Sequence, residues 1–280
     1  MAIGVIKTTQ VTQCALRKGA NDHSNEGSSG STTSTTPVDI NTLPPFDGLG
    51  DDWLIVGYLS IKVSDTARSA TPRLYHDTAA TAYNSHTIYV GDTTSYRPWA
   101  CMQVLTGLSG SQTFKLQIQA ETLNTAYYFN NFLAAINLSD FPAYYHSESL
   151  AISSTSSTSF VDKISLAPTV VADTAHLLLT HSMYRKNINN GYLENRTLYN
   201  DGVMALNIEQ PQNFAAFNPH QALRVVRPKT TTPTIKVQHR TQSTANAGII
   251  SAKALLIQLN DNAALNLNGP LQLNGNMRIR

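Results

Sequence analysis

Charge is what this sequence has least of. Only 14% of its 280 residues are Asp, Glu, Lys or Arg, against roughly a quarter in an average globular chain. The net charge of +2 gives no basic field for neutralising phosphates. The densest basic cluster, Arg224, Arg227 and Lys229, reads as a solvated strand end, so nucleic acid is not an expected partner. Cysteine is nearly absent. Cys14 and Cys101 stand in unrelated contexts without a CxxC, which argues against a disulfide framework or a cysteine zinc site. No apolar run approaches the roughly 20 residues that cross a bilayer, and MAIGVIKTTQ turns polar too early for a signal peptide. No membrane is expected either. Ser, Thr, Asn and Gln supply the polarity instead, which suits β-structure with neutral outer faces that pack against other chains.

Catalytic motifs are missing too. The chain holds no GxSxG, P-loop, GxGxxG or HExxH, and each of those patterns positions a specific nucleophile, phosphate or metal. Its eight histidines are scattered. His176 and His181 sit five apart on an expected strand, hence on opposite faces, the wrong geometry for sharing a metal. Asp51-Asp52 in GLGDDW reads as a turn, and Asp140 and Asp261 as turn formers bonding their own backbone. The sequence therefore nominates no catalytic residue, no metal ligand and no cofactor, and the expectation is a chain that is not an enzyme.

What is present is repetition. TFKLQIQ (113–119) and TIKVQHR (234–240) lie 121 positions apart, and at that offset residues 96–140 align with 217–261 without a gap, nine of 45 pairs being identical. Upstream, RLYHD (73–77) matches TLYND (197–201) at an offset of 124, and VDINTLPP (38–45) matches VDKISLAP (161–168) at 123. Even the Ser/Thr runs SSGSTTSTT (28–36) and ISSTSSTS (152–159) correspond. These runs read either as flexible linkers or as a Thr-rich edge strand. A period near 120 residues is too long for a solenoid, so each copy should be a domain.

In TFKLQIQ the apolar Phe114, Leu116 and Ile118 alternate with polar residues, a strand with one buried face. In the second copy His239 takes the third inward slot. WLIVGYLSIKV (53–63), HLLLTHSMY (176–184), FLAAINL (132–138) and KALLIQL (253–259) are further strands, and Asp47-Gly48, Asn190-Gly191 and Asp201-Gly202 mark turns. The expected fold is all-β: two tandem jelly-roll-like β-sandwiches from an internal duplication, with extended N- and C-terminal arms. The expected boundaries are an arm at 1–27, sandwiches at 28–146 and 147–262, and a C-terminal hairpin or arm at 263–280.

LNLNG (265–269) and LQLNG (271–275) alternate Leu with Asn or Gln. A two-stranded hairpin is marginal alone, so Leu265, Leu267, Leu271 and Leu273 are candidates for an inter-subunit arm. Among the aromatics Trp53, Trp99, Tyr127, Tyr128, Tyr144 and Tyr145, a stacking surface for sugar rings competes with burial. FPAYYH (141–146) reads as the most exposed cluster, so Tyr144, Tyr145 and His146 are candidates for an interface or a glycan contact.

The stretch SQTFKLQIQAETLNTAYYFNNFLAAINL (111–138) resembles the last two strands of jelly-roll domains in bacteriophage virion proteins: head-decoration proteins, head fibres and tail fibres of complement-C1q or tumour-necrosis-factor-like shape. LNLNGPLQLNG is similar to short Leu/Asn/Gly repeats in phage fibre stems. The resemblance implies a non-enzymatic structural protein of a virion, assembled in the host cytoplasm. Its implied partners are copies of itself, often as a homotrimer, and other virion proteins. The absence of a long stalk favours a capsid decoration or tail adaptor over a distal spike. A double jelly-roll major capsid protein and a carbohydrate-binding adhesin remain the alternatives.

Overall fold

The computed structural model describes residues 23–65, 67–85, 87–89, 93–94, 96–186, 193–209, 218–241 and 247–259. It divides into two units, the first reaching Asp140 and the second spanning Phe141–Asp261. The first unit opens with β1 (His23–Gly27), β2 (Gly30–Thr32), β3 (Val38–Thr42), β4 (Phe46–Asp47), β5 (Asp51–Val63) and β6 (Ser69–His76). It continues with β7 (Thr81–Tyr83), β8 (Ile88–Tyr89), β9 (Arg97–Leu108), β10 (Ser111–Gln112), β11 (Phe114–Ala120) and β12 (Ala126–Asn137). The second unit holds β13 (Tyr144–Ser149), β14 (Ser153–Thr155), β15 (Val161–Leu166), β16 (His176–Lys186) and β17 (Leu193–Tyr199). It ends with β18 (Gly202–Glu209), β19 (Asn218–Val226), β20 (Ile235–Thr241) and β21 (Ala247–Gln258).

Each unit pairs its strands in the same order. In the first, β1-β12-β5-β9 form one sheet and β3-β11-β6-β7 the other. In the second the orders are β13-β21-β16-β19 and β15-β20-β17-β18. Numbering the eight main strands of a unit in chain order, first pairs with eighth, second with seventh, third with sixth and fourth with fifth, all antiparallel. That is a long hairpin rolled on itself into two sheets, a jelly roll. Both units are all-β sandwiches of this kind.

The inward faces follow the alternation in the sequence. Phe114, Leu116 and Ile118 of β11 are wholly buried, beside Trp53, Leu59, Leu74 and Trp99. Burying each such side chain is worth about 1.5–3 kcal/mol. Phe46 packs on Trp53 with ring centroids 4.6 Å apart, and His76 stacks on Phe114 at 4.3 Å. In the second unit Leu178, Ile235, Val237, Ile249 and Leu256 form the equivalent cluster.

Three boundary expectations are corrected. FPAYYH does not close the first sandwich: Tyr144–Ser149 pairs with Ile257–Ala252 as the first strand of the second unit. His23–Gly27, expected within the arm at 1–27, pairs with Ala135–Asn131 and extends the first sheet. The rest of that arm and the hairpin at 263–280 lie outside the described residues. The third concerns RLYHD and TLYND. Arg73 pairs with Gln117 and Arg196 with Gln238, so RLYHD corresponds to RTLYN (196–200), one residue earlier than the sequence match. A one-residue slip moves every side chain to the opposite face.

The Ser/Thr runs are edge strands followed by hydroxyl-closed turns. Gly30–Thr32 pairs with β12 and Ser153–Thr155 with β21. Beyond them the Ser34 hydroxyl donates to the Thr36 carbonyl at 2.7 Å and accepts from the Thr36 amide at 3.1 Å. Ser157 and Ser159 repeat both bonds, at 2.8 and 3.0 Å. Local hydroxyl-to-backbone bonds of this kind favour turns over ladders.

Candidate functional site

The aromatic candidates divide between faces. Along β13, Tyr145 turns inward and packs against the second core. Tyr144 and His146 share the other side, with ring centroids 6.0 Å apart and planes at 21°. Period-two geometry thus separates the adjacent tyrosines, and no platform joins Tyr144, Tyr145 and His146. Trp53 and Trp99 have no exposed surface, and the Trp53 indole donates to the Gly48 carbonyl at 3.0 Å. Leu265, Leu267, Leu271 and Leu273 lie outside the described residues.

The acidic pair in GLGDDW, expected in a turn, instead opens β5 and ties it to its two neighbours. Asp51 accepts from the Asn137 amide at 2.7 Å, and Asp52 accepts from the Gly107 amide at 2.8 Å. His176 and His181 are both buried on opposite faces of β16. No group of three or more His, Cys, Asp or Glu is placed to hold a metal among the described residues.

Each sandwich has one apolar and one polar outer face. On the sheet containing β5, the residues pointing away from the core include Leu54, Met102, Ala134 and Ile136, all buried. On the sheet containing β16, Leu177, Leu255 and Ile257 are buried likewise, while Leu223 and Val225 of the terminal strand β19 are 37% and 42% exposed. Val203 and Leu206 of β18, the terminal strand of its own sheet, are 54% and 49% exposed. One edge of the second unit therefore presents aliphatic side chains on two strands that, among the described residues, each lack a ladder partner on one side.

The polar outer faces carry a relay that occurs once in each unit. In the first, Gln117 donates through Nε2 to Asp39 at 2.6 Å and accepts through Oε1 from Arg73 Nε at 2.7 Å. In the second, Gln238 donates to Asp162 and accepts from Arg196 Nε at 2.7 Å. Beside Arg196, the Arg240 guanidinium contacts the buried Glu194 carboxylate at 2.7 and 2.8 Å. The Phe160 ring lies 3.5 Å from the Arg196 guanidinium and 4.4 Å from that of Arg240. Partial burial, then the neighbouring positive charge of Arg240, push the Arg196 pKa down.

The inward faces differ between units. By pairing register, the places of Trp53, Leu59 and Trp99 in the first unit are held in the second by His176, Ser182 and His220. The places of Leu74 and Ile118 are held by Thr197 and His239. Asn195 donates to Ser182 across the second sandwich at 3.0 Å, and Thr180 bonds Thr197 at 2.9 Å. The imidazoles fare worse. Neither ring nitrogen of His239 meets a partner in bonding geometry, nor does Nε2 of His220, although the Val161 backbone lies near enough to His239 to favour its charged form. Burial pushes both imidazoles down to about 4, helped at His239 by the charge of Lys163. Sequence reasoning placed His239 inward and missed the rest of this layer, which becomes visible only when the registers are superposed.

No family model matches the chain, and no curated protein matches it. Among solved structures it is similar to the infectious bursal disease virus VP2 subviral particle, at 8% identity and a TM-score of 0.32, over 89% of this chain and 44% of that one. It is similar to PNGF-II at 10% identity and a TM-score of 0.33, over 78% of this chain and 60% of that one. A tandem CBM22-1–CBM22-2 domain of Paenibacillus barcinonensis Xyn10C aligns at 8% identity and a TM-score of 0.23, over 86% of this chain and 94% of that one. The chain spans less than half the length of the viral protein. These are loose likenesses between β-structures.

Proposed function

We propose that this chain is a non-enzymatic structural protein of a virus particle, a capsid decoration, head-fibre or tail-adaptor component that works by packing its jelly rolls against copies of itself and other virion proteins. The observation that carries the reading is the aliphatic edge of the second unit, Val203, Leu206, Leu223 and Val225, on two terminal strands of a charge-poor chain. Pro219 and Arg224 lie on β19, as edge strands commonly carry, but the aliphatic side chains beside them remain exposed, and exposed aliphatic patches at sheet edges mark association surfaces. The two complete sandwiches in one chain favour, as a second reading within the same class, a double jelly-roll major capsid protein.

The test is assembly. Leu223→Glu with Val225→Glu should convert an oligomer to a monomer by sedimentation without altering the far-ultraviolet circular dichroism. A wild-type chain that stays monomeric at high concentration and is absent from particles by electron microscopy overturns the proposal. Copy number per particle separates decoration from major capsid.

A further inference from the structure

The two relays pose a question that packing alone does not answer. An outward arginine on a β-sheet needs no fixed position to be solvated, yet Arg73 and Arg196 are held in the same way by the same residue types at matching registers. In both, the carboxylate orients the glutamine amide, and the amide oxygen takes the arginine Nε proton. Fixing Nε fixes the plane of the guanidinium. An aromatic ring adds a second constraint in each case: Tyr75 lies 5.0 Å from Arg73 and Phe160 lies 3.5 Å from Arg196. Among the described residues, neither arginine is in ion-pair contact with a carboxylate, whereas Arg68 and Arg240 both are. Each relay therefore spends one of five N–H donors on a neutral amide and holds the remaining fork in place; Glu194 and Asp162 act on Arg196 through their charge, but among the described residues no carboxylate touches either fork.

We propose that Arg73 and Arg196 are paired receptors for carboxylates of an acidic polypeptide, one on the polar outer face of each jelly roll. A planar guanidinium accepts a carboxylate through two parallel N–H···O bonds, and a guanidinium already held loses less freedom on forming them. The neighbouring rings are engaged by guanidinium groups, which favours a peptide carboxylate over a sugar acid that also needs an aromatic face. A single exposed pair is weak, on the order of 0–1 kcal/mol. Each site is weak alone, so binding should grow with the number of carboxylates that one polypeptide carries. The inference stands on these two sheets and holds whether or not the chain is a particle component.

The experiment titrates the full chain with an acetylated hexaglutamate peptide at low salt, followed by side-chain nitrogen NMR of arginine. A hexaglutamine peptide and N-acetylneuraminic acid serve as separate arms. The expected result is movement of the Arg73 and Arg196 signals with hexaglutamate alone. Affinity should fall roughly tenfold in the Arg73→Lys, Arg196→Lys double variant, which keeps the charge and loses the fork. Gln117→Met with Gln238→Met keeps both arginines and releases their Nε atoms, so both arginine signals should still be present, at shifted positions, while binding weakens. Equal binding of the two peptides, unchanged affinity in both double variants, or a response confined to N-acetylneuraminic acid would each overturn the proposal.

Discussion

At the scale of single residues, Gly57 shows how tightly the first sandwich is closed. It lies mid-strand in β5, where a Cβ would stand 2.8 Å from Leu116 Cδ2 and 2.9 Å from Cys101 Sγ. The facing leucine occupies the volume that a side chain would need. At the matching position of the second unit stands Thr180, whose hydroxyl instead meets Thr197 at 2.9 Å. Gly57→Val should therefore overpack the first core and destabilise it by about 1–3 kcal/mol. The readout is the urea midpoint followed by tryptophan fluorescence, because both tryptophans, Trp53 and Trp99, lie in the first unit. A midpoint unchanged from wild type would mean that Leu116 has room to withdraw. Nothing in WLIVGYLSIKV marks this glycine, since hydrophobic alternation records which side faces inward and not how near the opposite sheet comes.

At the scale of elements, the strands were legible and the turns only partly so. Period two located β11 and β20, longer apolar runs located β5, β12, β16 and β21, and the matched offsets pointed to two units, which share one strand order. The change of offset from 123 to 121 has a definite place. In the first unit His76 pairs with Thr81, leaving residues 77–80 in the turn; in the second Tyr199 pairs with Gly202, leaving 200 and 201. The Leu-Tyr-x-Asp identity between RLYHD and TLYND straddles this shortening and so misled the alignment by one residue. The short turn has Asn200 and Asp201 at φ of 49° and 61°, the two left-handed residues of a type I′ hairpin. The turn thus sits one residue before the Asp201-Gly202 pair that the sequence indicated. The Asn200 side chain also accepts from the Thr234 amide at 2.9 Å, tying the hairpin to β20. Asn200→Ala loses that bond and adopts a backbone that alanine disfavours, a cost of about 1–2 kcal/mol. Asp201→Gly relieves the backbone and gives up only an exposed contact to Lys236 at 3.7 Å, so it should lie within about 0.5 kcal/mol of wild type. Thermal melting of the two variants checks the contrast; equal losses would contradict the I′ assignment.

At the scale of the whole molecule, two sandwiches with one strand order have cores of different chemistry. Where the first unit buries Trp99 and Ile118, the second buries His220 and His239, with both ring nitrogens of His239 and Nε2 of His220 outside bonding geometry. Both imidazoles are neutral in the folded unit, with pKa values near 4, against about 6.5 in an unfolded chain. A base whose folded pKa is lowered binds fewer protons than its unfolded counterpart between those values, so stability is lost as the pH drops through that window. The loss begins near pH 6.5 and is complete near pH 4, reaching on the order of 3 kcal/mol for each group. Two such losses approach the whole stability of a typical domain, about 5–15 kcal/mol. The facing groups do not offset it: Lys163 is cationic, and the neighbours Asn195 and Ser182 carry no charge. The second unit should therefore unfold first in acid, near pH 4 to 5. Circular dichroism would register that loss while tryptophan fluorescence, confined to the first unit, stays native. His239→Ile with His220→Trp, the residues that the first unit uses, should flatten the acid slope of the circular dichroism; a slope that survives the exchange would place the acid sensitivity elsewhere.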